Sequence, residues 1–204
     1  MKLKKRKPGG DYLPTATKEK KFSKRKFEAE YDAPEGVSFE FQNNVLKVIG
    51  PKGETSKSFN YPFIKMDVTA NKIIAIAQRI TKREKTMLGS FKSHIKNMIR
   101  STSEGIIYKL KVCSTHFPMT VKIQNDKIVV NNFVGEKFPR TLDVSHPSVK
   151  VKLDGEIIEV SGVDKEDVGT MASKIELLTK RSGFDNRIFQ DGIYIIEKDG
   201  KLEK

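Results

Sequence analysis

Apolar and polar positions alternate with a period of two through residues 39–54 (FEFQNNVLKVIGPKGE) and again through residues 121–136 (VKIQNDKIVVNNFVGE). An offset of 82 carries Phe39 onto Val121, Phe41 onto Ile123, Leu46 onto Ile128 and Val48 onto Val130. The same offset aligns Gln42-Asn43 with Gln124-Asn125 and Gly53-Glu54 with Gly135-Glu136. Alternation on both sides of an Asn-rich pair predicts a β-hairpin, turning at Asn43-Asn44 in one case and Asn125-Asp126 in the other. A turn, four apolar positions and a Gly-Glu pair kept in one register point to an internal duplication.

The pattern continues more loosely. Residues 66–76 (MDVTANKIIAI) and 149–160 (VKVKLDGEIIEV) each read as strand, turn, strand, with the turns at Ala70-Asn71 and Asp154-Gly155. A helical period then takes over. Met87, Leu88, Phe91, Ile95, Met98 and Ile99 share one helical face, as do Val168, Met171, Ala172, Ile175 and Leu178. Asp164 suits an N-cap and Gly183 a helix stop. Alternation returns at 106–112 (IIYKLKV) and 193–197 (IYIIE), which predicts a closing strand for each unit. The expected fold is α+β: two duplicated domains, each an antiparallel β-sheet packed by one helix. Boundaries fall at 33–115 and 116–197, after an arm at 1–32 and before a short tail at 198–204.

Charge separates the arm from the body. The 204 residues carry a net +13, with 37% hydrophobic and 32% charged residues. Residues 1–27 hold eleven Lys and Arg against Asp11 and Glu19, so nine of the thirteen net charges sit there. Such a stretch cannot bury enough surface to offset its ordering entropy and is expected to be disordered when free. Its clustered Lys4, Lys5, Arg6 and Lys7 would gain counterion-release free energy on RNA. A single cysteine, Cys113, rules out an internal disulfide framework and fits a reducing compartment. No apolar run approaches the ~20 residues needed to span a bilayer. The first ten residues lack the apolar core of a secretory signal. The expectation is a cytoplasmic protein with a polyanionic partner, no membrane and no homo-oligomer.

Catalytic chemistry finds little to work with. The three histidines, His94, His116 and His146, have no cysteine or carboxylate pattern around them that completes a metal site, and Cys113 with His116 is half of one at most. No Gly-rich nucleotide motif occurs, and Gly50-Pro51-Lys52-Gly53 reads as a turn. Asp164, Glu166 and Asp167 provide favourable charge at a helix start. No catalytic group, metal or cofactor is expected, and the chain reads as a non-enzyme.

Basic residues on the body say more. Lys92, Lys96 and Arg100 recur every four residues opposite the apolar face of the first helix, and are expected to be uncompensated at i±4. Lys137 and Arg140 flank the turn after the second Gly-Glu pair. Lys180, Arg181 and Arg187 surround the loop after the second helix. Without a tryptophan or an aromatic recognition signature, binding is expected through phosphates and RNA shape rather than base stacking.

Residues 33–36 (APEG), 48–53 (VIGPKG), 93–99 (SHIKNMI) with Gly105, Tyr108 and Lys109, 116–118 (HFP), 132–137 (NFVGEK) and 189–194 (FQDGIY) then gain a common meaning. In this order they resemble the family of the sixth protein of the large ribosomal subunit, in its archaeal and eukaryotic form. The resemblance implies two homologous α+β domains and a structural place in the large subunit. It also implies contact with large-subunit ribosomal RNA beside the sarcin–ricin loop, mainly through the second domain, with ribosomal proteins adjacent and translation GTPases nearby. Lys137 is the basic residue that the matched motifs carry over most directly. The competing expectation is a free RNA-binding or ribosome-assembly factor.

Overall fold

The computed structural model describes residues 27–69, 72–79, 81–185 and 187–202. Lys4, Lys5, Arg6 and Lys7, with the expected disorder of residues 1–26, lie outside the described residues, as does the turn at Ala70-Asn71.

The first unit runs β1 (Phe27–Asp32), β2 (Ser38–Gln42), β3 (Val45–Gly50), β4 (Gly53–Ser58), β5 (Ile64–Thr69), β6 (Lys72–Ala77) and α1 (Lys82–Glu104). Two three-stranded antiparallel sheets, ordered β1-β6-β5 and β2-β3-β4, pack with α1. Alternate residues Leu46 and Val48 on β3 and Ile73 and Ala75 on β6 point inward and meet Ile95 of the helix, all fully buried. The second unit runs β7 (Ile106–Cys113), β8 (Thr120–Gln124), β9 (Lys127–Asn131), a 3-10 turn (Phe133–Gly135), β10 (Arg140–Asp143), β11 (Val149–Asp154), β12 (Ile157–Gly162), α2 (Lys165–Leu178), β13 (Gly192–Lys198) and β14 (Lys201–Leu202). Its sheets are ordered β10-β9-β8 and β11-β12-β7-β13-β14. The architecture is thus α+β and duplicated, as the periodicities require.

Strand registers make the duplication quantitative. β2 pairs with β3 from Ser38 opposite Ile49 to Gln42 opposite Val45, and β8 pairs with β9 from Thr120 opposite Asn131 to Gln124 opposite Lys127. Each hairpin turns on two residues with left-handed backbone: Asn43 (φ 50°) and Asn44 (62°), Asn125 (49°) and Asp126 (57°). Asn and Asp tolerate that region, and a turn with both central residues there matches the twist of the flanking strands.

The Gly-Glu coincidence does not survive in three dimensions. Thr55 lies seven residues beyond its partner Val48, whereas Arg140 lies ten beyond its partner Val130. The second copy therefore carries three extra residues between β9 and β10. Gly53 opens β4, while Gly135 sits in the 3-10 turn.

The strand Ile106–Cys113 departs from expectation. It does not close the first unit but lies in the second unit's sheet, hydrogen-bonded to β12 on one side and β13 on the other. Ile106, Tyr108, Leu110 and Val112 face inward and join the second core with Ile128, Ile158, Ala172 and Ile175. Gly105, at φ 80°, ends α1 and sends the chain directly into that sheet. Its counterpart in the first unit is β1, which pairs with β6 over six residues just as β7 pairs with β12. So residues 27–32, expected in the arm, form a sheet strand, and the second unit begins at Ile106. Of the expected tail, Lys198 ends β13, and Lys201–Leu202 pairs back as β14.

A polar seam joins the units. Thr55 donates to Asp164 (3.2 Å), Lys57 pairs with Glu166, His94 Nδ1 lies 3.3 Å from Glu166, and Arg100 and Lys165 converge on Asp199 at 2.9 and 3.5 Å.

Candidate nucleic-acid interface

The stripe on α1 is only partly free. Lys92 and Lys96 are exposed and make no ion pair among the described residues. Arg100 is committed: Nε donates to Glu104 at 3.0 Å, four residues along the helix, and Nη1 meets Asp199 at 2.9 Å. Those hydrogen-bonded carboxylates raise its pKa above the ordinary guanidinium value, Glu104 contributing most. The expected uncompensated stripe therefore ends before Arg100, which fastens α1 to the β13–β14 turn. Glu104 was visible at i+4; Asp199 was not, because only the fold brings it there.

The other basic residues gather at one end of the second unit, where three segments meet: residues 115–118, the extra residues around the 3-10 turn, and the α2–β13 loop at 179–191. Arg140 is the rivet. Its Nε and Nη2 hold both oxygens of Glu136 at 2.8 and 2.6 Å, and its Nη1 donates to the Leu178 carbonyl at 2.8 Å. The guanidinium also covers the Phe133 ring at 4.3 Å. A cation on an open carbonyl at a helix C-terminus satisfies an acceptor that the helix leaves without a partner. Arg140 hydrogen-bonding keeps the Glu136 carboxyl below its ordinary pKa, against a smaller opposing effect of burial. With all three nitrogens engaged inside the protein, Arg140 positions the loops rather than offering donors to a ligand.

Lys137, Lys180, Arg181 and Arg187 project from this frame and are exposed. Arg181 lies 4.1 Å over the Phe184 ring. Arg187 forks onto Asp185 (2.8 Å between Nη2 and Oδ2) and lowers that carboxyl's pKa, yet its side chain is 90% exposed. An ion pair so wet is weak, and a phosphate can displace it.

A buried acid underpins the loop. Asp191 accepts from the Thr115 and His116 amides at 2.5 and 3.0 Å and lies 2.7 Å from His116 Nδ1. Burial works against its charge, but the two amides and the His116 ring prevail and leave its pKa below the ordinary value. His116 in turn lies 4.9 Å from the Phe189 ring, and Phe189 meets Phe184 edge-on at 5.1 Å. Val134 (φ 49°) and Asn132 (φ 58°) both sit in the left-handed region. A β-branched residue is rarely found there, and local strain of this kind concentrates at functional sites.

Reading the sequence for charge missed the apolar members of this surface. Phe138 is 85% exposed, and Phe117, Phe184, Ile188 and Phe189 are exposed beside it or across the loop. The available signal was adjacency to cations in polar loops, as in Lys137-Phe138 and Arg187-Ile188-Phe189. Among the described residues, no three His, Cys, Asp or Glu side chains gather as a metal would require, and no helix is long and apolar enough to cross a membrane.

The comparisons with known proteins bear on both units. The family model for ribosomal protein L6 matches residues 33–105 and 117–192, one segment in each unit. The chain is 45% identical to the large ribosomal subunit protein uL6 of Methanosarcina mazei, covering 82% of this chain and 94% of that protein. It is 41% identical to the uL6 protein of Methanobrevibacter smithii (83% and 95% covered) and 44% identical to that of Nanoarchaeum equitans (84% and 93%). With both repeats matched and archaeal relatives aligned over nearly their full length, the chain belongs to the ribosomal protein L6 family.

Proposed function

We propose that this member of the ribosomal protein L6 family is a structural constituent of the large ribosomal subunit, gripping ribosomal RNA by the loop end of its second unit. The RNA lies beside the sarcin–ricin loop, near where translation GTPases dock, with other ribosomal proteins as neighbours on the cytoplasmic ribosome. The family is structural rather than enzymatic, and no step of catalysis is assigned to any residue. The observation that carries the reading is the convergence of Lys137, Lys180, Arg181 and Arg187 on one end, while Glu136 is already paired with Arg140 and Asp191 already hydrogen-bonded within the protein. What remains outward is a set of cations on rigid loops, which suits phosphates held at fixed spacing. Lys92 and Lys96 on α1 offer a second, lesser contact to a neighbouring RNA helix, and Lys4, Lys5, Arg6 and Lys7 a third.

The test is a salt titration of the full chain on a large-subunit RNA fragment containing the sarcin–ricin loop. Affinity should fall steeply, with a log–log slope of about −0.9 per neutralised phosphate. Lys137→Ala with Arg187→Ala should make the slope shallower by about two contacts. A salt-independent affinity, or a double variant that binds as the parent does, would overturn the assignment.

A further inference from the structure

We infer that the same end of the second unit also takes an unstacked RNA base, in a cavity between the last turn of α2 and the α2–β13 loop; this rests on the RNA-binding reading above. The cavity holds about 230 Å³ and is walled by Phe133, Leu177, Phe184, Phe189 and Tyr194. That is below the roughly 300 Å³ at which pockets for drug-sized ligands begin, so it suits one small ring system. Along one side the planar groups run from Phe189 to Phe184 to the Arg181 guanidinium, at 5.1 and 4.1 Å, and His116 backs Phe189 at 4.9 Å. Rings kept only for packing would be buried; Phe184 remains 41% exposed, Phe189 37% and Leu177 58%.

Charge decides the occupant. Lys180 and Arg181 stand on the rim and make no ion pair among the described residues. The acids nearby are occupied: Asp191 by His116 and two amides, Glu136 by Arg140, and Glu176 by the Ile195 amide at 3.4 Å. A slot with aromatic walls, two cations at its mouth and Glu176 as its one lightly hydrogen-bonded acid suits a planar ring attached to a negative group. A nucleotide is that object, and a planar base stacks on an aromatic ring or on a guanidinium alike. Paired RNA keeps its bases inside the helix, so the base comes from a loop or bulge.

Two oligomers of equal length separate base from phosphate: oligoadenylate, and an abasic ribose-phosphate chain bearing the same charges. Binding to the full chain is followed by fluorescence anisotropy across a salt series. Oligoadenylate should bind about 5- to 150-fold more tightly, the range expected for one stacked base. Phe184→Leu keeps an apolar side chain at this exposed position and removes the ring, so the preference should vanish while the salt slope and melting temperature hold. Arg181→Gln, an exposed position, should both shrink the preference and reduce the slope by about one contact. Equal affinity for the two oligomers, or a preference surviving Phe184→Leu, overturns the base site and leaves the phosphate reading standing. If neither oligomer binds in a salt-dependent way, both readings fall together.

Discussion

The two copies share a scaffold and differ at one end, and the difference is where the proposed RNA-binding surface lies. Corresponding strands pair in the same registers, residue for residue, through the hairpins and through the β1–β6 and β7–β12 ladders. Yet α1 runs for 23 residues and passes through Gly105 straight into the next strand, while α2 stops after 14 and gives way to the long loop before β13. The second copy also inserts three residues before β10. Insertion and loop meet through Arg140, and Lys137, Lys180, Arg181 and Arg187 stand on one or the other. Duplication supplied a rigid frame, and the loops that broke the repeat supplied the chemistry.

The comparison breaks most visibly at β7. A second unit begun at residue 116 lacks the middle strand of its five-stranded sheet and should not fold, whereas one begun at 106 should melt cooperatively by circular dichroism. Within the full chain, Leu110→Ala should cost about 2–5 kcal/mol. Hydrogen exchange should then show the loss in the second unit and leave β2 to β6 protected. An equal loss in both units would mean that the copies unfold as one body.

Next in size are the ties that hold the loop end. Asp191→Asn should cost about 1–3 kcal/mol by leaving the Thr115 and His116 donors poorly matched. Its pH dependence has a definite sign. The folded-state pKa lies below the ordinary 3.8, so the carboxylate stabilises the fold above that value. That contribution is lost as pH falls from the ordinary value through the depressed one. Melting temperatures taken from pH 6 to pH 3 should therefore fall further in the parent than in Asp191→Asn, and parallel curves would remove Asp191 from the account. Smallest is a contrast of helix starts. Asp164 caps α2 by accepting from the Glu166 amide at 2.7 Å, while Thr81 at the start of α1 makes no side-chain cap bond. Asp164→Ala should cost about 1 kcal/mol in urea unfolding, and Thr81→Ala close to nothing.

What was legible in the sequence was local. Asn43-Asn44 and Asn125-Asp126 announce their turns because few other residues enter left-handed backbone, and the helical faces announce themselves by burial at i, i+3 and i+4. Alternation identified 106–112 as a strand, but the same alternation fits any sheet with one buried face. Only pairing with Gly162 and Gly192, far along the chain, assigns it. The match of Gly53-Glu54 to Gly135-Glu136 misled because identity in a fixed offset cannot see a three-residue slip. Gly183 read as the helix stop, yet α2 ends at Leu178, where Arg140 takes up the last carbonyl. Counting charges ranked Arg140 and Arg100 with Lys137, since the acids that occupy them lie partly in distant segments.

The place of β7 also sets a schedule for synthesis. Both of its edges wait for partners made later: Ile107 for Ser161, and Cys113 for Gly192, which is 79 residues downstream. At about 5–20 residues per second, that interval is roughly 4–16 s, during which a strand with four core-facing side chains waits first for β12 and then for β13 beside a finished first unit. The first unit can close on its own residues while the second is still being made. β13, made after β7 to β12, is thus the strand that seals the surface through which the finished protein would join a new ribosome.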